Sequence, residues 1–233
     1  MPEVSTVKLV IKVGGYCFSR RLDPKPIKEL AKALSRLKSK GHSLVVVAGG
    51  GENARTYAKT ARALKASESF SDDLGIHVSR LNAALLVAAL GDLAYRKVPT
   101  KFEDIYEALE TDRIVVLGGL VPGQSTNAVA ALTAEVMKAD WIINLTDVDG
   151  VYSADPRVDK DAKLLREIST DELMSLLLKG GQKAGEYDLF DVTAVKIIKR
   201  SRLRVRVVDG TRPDTLERVV KGEEVGTLIC DRH

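Results

Sequence analysis

Several common chemistries are excluded by what this sequence has little of. Of its 233 residues only two are cysteine, Cys17 and Cys230, near opposite ends and without metal-ligand spacing. Neither a zinc site nor a disulfide framework follows, and a reducing, cytoplasmic setting is expected. Aromatic residues make up 5%, so the stacking signature of an RNA-binding module is missing. Charge of one sign is scarce too: 36 basic side chains against 32 acidic ones leave +4, which does not demand a nucleic-acid partner. The basic residues Lys196, Lys199, Arg200, Arg202, Arg204 and Arg206 read as a solvated face or as one turned toward phosphate-bearing ligands. No unbroken apolar stretch reaches the ~18 residues of a membrane span. The N-terminus lacks the basic start, apolar middle and small-residue cleavage site of a leader, so no membrane association is expected. Two nucleotide motifs are absent as well. There is no G-x-x-x-x-G-K-[ST], and no G-x-G-x-x-G opens a helix after the first strand, which removes P-loop enzymes and dinucleotide-binding Rossmann proteins.

What is present is an ordinary globular composition, 45% hydrophobic and 29% charged, long enough to bury a substantial core as one domain or as two lobes sharing a sheet. Short apolar runs alternate with longer segments of helical period, the pattern of an α/β protein around a mainly parallel sheet. Strands are expected over Lys8–Val13, Ser43–Ala48, Arg113–Gly118, Trp141–Thr146 and Leu203–Val208. Helices are expected over Lys25–Ser39, Glu52–Leu64, Ile76–Ala94, Thr126–Lys138, Thr170–Leu178 and Val192–Ser201. The stretch Arg96–Asp112, RKVPTKFEDIYEALETD, is the nearest thing to a lobe boundary.

Glycine follows every expected strand closely, in GGYCF, GGGENAR, GGLVPGQST, DVDGVYSADP and DGTRPD. One such turn is ordinary turn chemistry. Several of them on the carboxyl edge, where open parallel sheets bind ligands, offer backbone N–H groups and helix N-termini to phosphate.

Four segments in order, KVGGYCF (Lys12–Phe18), VAGGGENAR (Val47–Arg55), LGGLVPGQSTNAVAA (Leu117–Ala131) and LTDVDGVYSADPR (Leu145–Arg157), resemble the amino-acid kinase superfamily. With DDLGIHVSRLNA, the chain is most similar to the archaeal-type uridylate (UMP) kinase branch, over about Val7 to Ile229. The resemblance implies an α/β fold, a three-layer αβα sandwich of the acetylglutamate kinase-like kind. It implies one amino-acid kinase domain over 1–233, with an acceptor-binding N-lobe to about residue 118 and an ATP-binding C-lobe from about 119. It further implies a homohexamer built from dimers and the reaction ATP + UMP to ADP + UDP in pyrimidine biosynthesis, with Mg²⁺ accompanying ATP.

Residue roles follow from chemistry and resemblance together. Phosphoryl transfer needs two anionic substrates held in line and their charge neutralised. Lys12, at the end of the first strand, can supply a mobile cation; alone it would read as a solvated strand-end lysine. By resemblance Lys12 and Asp147 are catalytic, Asp147 holding Lys12 or a water on Mg²⁺. Gly14, Gly15, Tyr16, Gly51, Arg55, Thr146, Asp147, Tyr152 and Asp155 would meet ATP. Gly50, Asp72 and the loop Leu120, Val121, Pro122, Gly123, Gln124, Ser125 and Thr126 would meet UMP, with Asp72 accepting from both ribose hydroxyls. Gly49, Gly50 and Gly51 would pass between the two sets of phosphates. No protein metal cage is implied. Plainer readings stand beside these: Asp72 or Asp73 as a helix N-cap, Ser125 or Thr126 as another, and Lys183 and Lys196 as surface lysines rather than second cations. Tyr16, Asn127 and Asp147 depart from residues common at those positions in the family. Two alternatives in the same fold are a sibling kinase acting on a carboxylate or another phosphate monoester, and a non-catalytic nucleotide-binding protein.

Overall fold

The computed structural model describes residues 6–154, 156, 159–179 and 189–231. Strand β1 (Lys8–Val13) lies at the centre of the sheet, and all of its residues from Leu9 to Val13 except Lys12 are buried. On one side it pairs in parallel with β2 (Ser43–Ala48), which pairs with β3 (Val115–Leu117); on the other it pairs in parallel with β4 (Trp141–Thr146), which pairs with β6 (Val205–Asp209). Near-continuous apolar runs are what a parallel sheet covered on both faces requires. A short edge completes it: β7 (Thr227–Ile229) runs antiparallel to β6, and β5 (Glu167–Ile168) pairs in parallel with β7, giving the order β3-β2-β1-β4-β6-β7-β5.

Alternation along the strands divides the core between two layers of helices. Leu9, Ile11, Val13, Val46 and Ile143 face α1 (Pro24–Ser39) and α3 (Glu68–Leu90). Val10, Val45, Val47, Ile142 and Val205 face α4 (Phe102–Leu109), α5 (Thr126–Met137) and α7 (Val192–Arg200). Each of these fully buried aliphatic side chains stabilises the sandwich by about 1.5–3 kcal/mol. The remaining helices, α2 (Gly51–Ala63), α6 (Thr170–Lys179) and α8 (Thr215–Val220), pack on α3, α7 and β6 respectively. The helix α1 starts where it does because Asp23 accepts from the Lys25 N–H at 2.9 Å and Pro24 needs no donor partner.

Several boundaries depart from the sequence expectation. The helix α3 begins at Glu68 rather than Ile76, capped by Ser67, which accepts from the Phe70 N–H at 3.2 Å. Its first two turns are polar, so the apolar period starts late. Asp72 and Asp73 therefore lie inside the helix and are not its cap. By length and composition alone Glu68–Leu93 reaches the apolarity of a membrane crossing, but α3 lies against β2, β3, α1 and α2 and carries Asp72, Asp73 and Arg80. Within the stretch Arg96–Asp112, which the sequence reading did not assign to an element, α4 forms. The Asp104 carboxylate accepts from the N–H groups of Thr100 and Lys101, and Ile105 and Ala108 are fully buried. The elements β5, β7 and α8 had no counterpart in the sequence reading.

Candidate active site

The five strands β1, β2, β3, β4 and β6 end along one edge, and the backbone ladder runs on into the glycine loops. Gly14 N donates to Leu145 O at 2.8 Å, Gly49 N to Val13 O at 2.9 Å and Gly210 N to Thr146 O at 2.8 Å. Lys12 sits one row below, in register with Val47 on one neighbour and Asn144 on the other. It belongs to the face covered by α5 and α7, since Val10 on the same strand faces that layer.

The glycines have reasons within the protein itself. A Cβ on Gly15 would stand 3.1 Å from Gly51 Cα, and one on Gly14 would stand 2.8 Å from Leu145 O. At Gly51 φ is +63°, and a Cβ would lie 2.7 Å from Phe18 O. At Gly50 a Cβ would overlap that of Ala54. The first two loops thus touch backbone to backbone, so the close approach that excludes side chains at Gly50 and Gly51 comes first from the chain. What this leaves is the start of α2. Gly50 provides no side-chain cap, and the first bond back into the helix is Ala54 N to Gly50 O. The N–H groups of that turn and the positive end of the helix dipole suit an anion. Arg55 is exposed one turn further on.

The loop before α5 is held from the α3 side at four points. Gly119 N donates to Ser79 Oγ at 2.7 Å, Arg80 donates to Gly119 O and Leu120 O at 3.0 Å each, and Gly123 N donates to Asp72 Oδ2 at 2.9 Å. Arg80 also reaches Thr100 O. Leu120 is buried, Val121 exposed, and Gly123 has φ +79°. The loop ends in Ser125, whose hydroxyl caps α5 by accepting from Asn127 N and Ala128 N and donates to Asp191. The capping role expected for Ser125 is therefore present, and Thr126 is the first helical residue. Three buried amide oxygens in this neighbourhood, Gln124 Oε1, Asn127 Oδ1 and Asn144 Oδ1, have no hydrogen-bond partner among the described residues. An unsatisfied acceptor costs about 1–3 kcal/mol, so these oxygens are poised for donors.

On the β4 side, Thr146 is buried and its hydroxyl lies 3.3 Å from Asp147 Oδ1, while Asp147 itself is exposed. Tyr152 is half-buried and bridges to Leu164. The Tyr16 ring lines a pocket of about 170 Å³ with Leu145, Gly210 and Arg212, and burial raises its phenol well above the ordinary range. Burial likewise pushes the Cys17 thiol up to about 12, so this cysteine is a packing residue and no nucleophile. Lys196 is exposed on α7, whereas Asp155 and Lys183 lie outside the described residues. Among the described residues no group of three His, Cys, Asp or Glu side chains is placed to hold a metal ion.

Sequence reasoning did not single out Ser79, Arg80, Asn82, Asn144 or Asp191. Ser79, Asn82 and Asn144 are buried polar groups, and Asn82 Nδ2 donates to Gly49 O at 2.8 Å. A legible signal existed for Ser79 and Asn82, polar residues three apart in the apolar part of α3. For Asp191 it was the N-cap position ahead of VTAVKII.

Comparison with known proteins adds an independent line. The model of the amino acid kinase family matches residues 7–209. Two curated relatives are uridylate kinases: one from Methanobrevibacter smithii, 43% identical with 97% of this chain and 100% of the relative covered, and one from Hyperthermus butylicus, 46% identical with 95% and 97% covered. The crystal structure of uridylate kinase from Archaeoglobus fulgidus superposes with a TM-score of 0.84 at 41% identity, covering 96% of this chain and 100% of that one.

Proposed function

We propose, from the premise that this chain belongs to the amino acid kinase family, that it transfers the terminal phosphoryl group of ATP to UMP, giving ADP and UDP. The observation that carries the reading is the meeting, at one sheet edge, of Lys12, the uncapped start of α2 and a loop before α5 pinned to α3. The uridylate kinases that match it nearly end to end support the choice of acceptor.

In this reading UMP lies between the loop Leu120–Thr126 and the N-terminal half of α3. Asp72 spends one oxygen on Gly123 N and accepts from the ribose with the other, and the UMP phosphate meets Gly50 and the first turn of α2. Gly14, Gly15, Tyr16, Gly51, Arg55, Thr146, Asp147 and Tyr152 serve ATP, and Asp155 is assigned to it by resemblance alone. Lys12 neutralises charge as the phosphoryl group moves between in-line oxygens, an interaction that grows in the transition state. A Mg²⁺ accompanying ATP would be held mainly by the substrate phosphates, with Asp147 as a carboxylate contact. Bound with ATP, Mg²⁺ would screen the phosphate oxygens.

The division into an acceptor lobe to about 118 and an ATP lobe from about 119 belongs to the same proposal, as does a cytoplasmic setting. So does a homohexamer built from dimers. Leu81 is 67% exposed and Leu85 39% on α3, beside Phe70 at 55%, an apolar face suited to a second copy; light scattering tests it. A coupled assay of ADP release with UMP, CMP, dUMP, acetylglutamate and isopentenyl phosphate tests the reaction. Preference for UMP is expected, and turnover confined to a carboxylate or to isopentenyl phosphate would refute it.

A further inference from the structure

A hydroxyl carries one proton and two acceptor sites. At Ser125 both acceptor sites are taken, by Asn127 N at 3.1 Å and Ala128 N at 3.0 Å, so the proton goes to Asp191 Oδ2. The other oxygen of Asp191, Oδ1, accepts from Ala194 N at 3.0 Å and caps α7. Each oxygen of this side chain therefore faces a donor, and a carboxylate alone satisfies both. The segment entering α7 is tied in its turn to the centre of the sheet. Asn144, 1% exposed and in register with Lys12, donates from Nδ2 to Leu189 O at 3.1 Å.

We infer that Asp191 is a positioning residue for the acceptor: it fixes the Ser125 end of the loop Leu120–Thr126 against α7, opposite the points where Ser79, Arg80 and Asp72 fix the loop to α3. The loop is held from both sides, and the segment entering α7 that contains Asp191 is tied through Leu189 O to Asn144 on β4, beside Lys12. This rests on the assignment of that loop to UMP. Loss of the tie would loosen the acceptor's seat and leave the ATP side as it was.

Two substitutions separate the link from the cap. In Asp191→Asn an amide N–H₂ must face a donor on one side or the other, so one of the two bonds is lost whichever way it turns. In Asp191→Ser the single oxygen keeps the α7 cap and the reach to Ser125 is lost. Steady-state kinetics and thermal unfolding of both are compared with the wild type. The expected result is a rise in KM for UMP of about tenfold, the loss of one charge-assisted hydrogen bond, with KM for ATP within about twofold. Asp191→Ser should do this with little change in melting temperature. An unchanged KM for UMP in Asp191→Ser, or equal changes in KM for both substrates, would overturn the proposal. A wild type that does not phosphorylate UMP would instead refute the acceptor assignment beneath it.

Discussion

Replacing Gly51 by alanine tests whether the first two glycine loops are shaped by each other. The perturbation has two parts that the structure separates. A backbone at φ +63° is left-handed, which costs a residue with a Cβ about 1–2 kcal/mol. The new methyl would also stand 2.7 Å from Phe18 O, a backbone atom that cannot rotate away, and overpacking of this kind costs about 1–3 kcal/mol more. The sum, about 2–5 kcal/mol, corresponds to a fall in melting temperature of about 4–20 °C for a chain of this size. Gly222 supplies the control. Its φ is +82° and nothing among the described residues lies within 4 Å of its would-be Cβ, so Gly222→Ala carries the conformational part alone, about 2–8 °C. Thermal unfolding of the two variants, with kcat measured alongside, reads the difference. Turnover should collapse in Gly51→Ala, where the loops are forced apart, and survive in Gly222→Ala. Equal losses of stability would refute the claim that the loops are in backbone contact.

Lys12→Ala should lower kcat by roughly 100-fold or more with a modest change in ATP affinity, because the charge it meets grows during transfer; an unchanged kcat in single-turnover kinetics would return Lys12 to a structural role. Asp72→Asn should cost about 1.5–3 kcal/mol, a tenfold to hundredfold fall in kcat/KM for UMP, and should narrow the preference for UMP over dUMP, measured with both acceptors. His42 is buried at the start of β2 and accepts from Val7 N on Nδ1 at 3.2 Å, and burial, with Lys40 nearby, lowers its pKa below the ordinary 6.5. The folded state therefore favours the neutral ring, and its contribution to stability is full above that ordinary value and lost as pH falls through the lowered one. Urea midpoints between pH 7.5 and 5.0 should drop more steeply in the wild type than in His42→Gln, which keeps an acceptor for Val7 N; parallel curves would dismiss the effect.

The strands and most helices were legible in the sequence because their signals are local. Runs such as VVVA and IINL mark strands buried on both faces, and the 3–4 spacing of Ile27, Leu30, Leu34 and Leu37 marks the buried side of α1. Glycine after each of these strands likewise marked the edge on which the site is proposed. The reason for those glycines was another matter. Gly51 is refused a side chain by Phe18 O, more than thirty positions earlier, and Gly118 by the residues Ser79 and Arg80. No turn rule contains such neighbours. The strands β5 and β7, two and three residues long, are too short to show a period and exist because β6 offers them an edge.

The candidate site divides in the same way. Lys12, the glycines and the loop Leu120–Thr126 were found from residues adjacent in the chain. Arg80, Asn144 and Asp191 were not, since the groups they hold lie 40, 45 and 66 positions away. A helix pattern records contacts within a turn and a strand pattern records which face is buried, so local sequence determined the elements and the edge. Which polar side chains met there was decided by the order β3-β2-β1-β4-β6, because that order brings the starts of α3, α5 and α7 to the same loops.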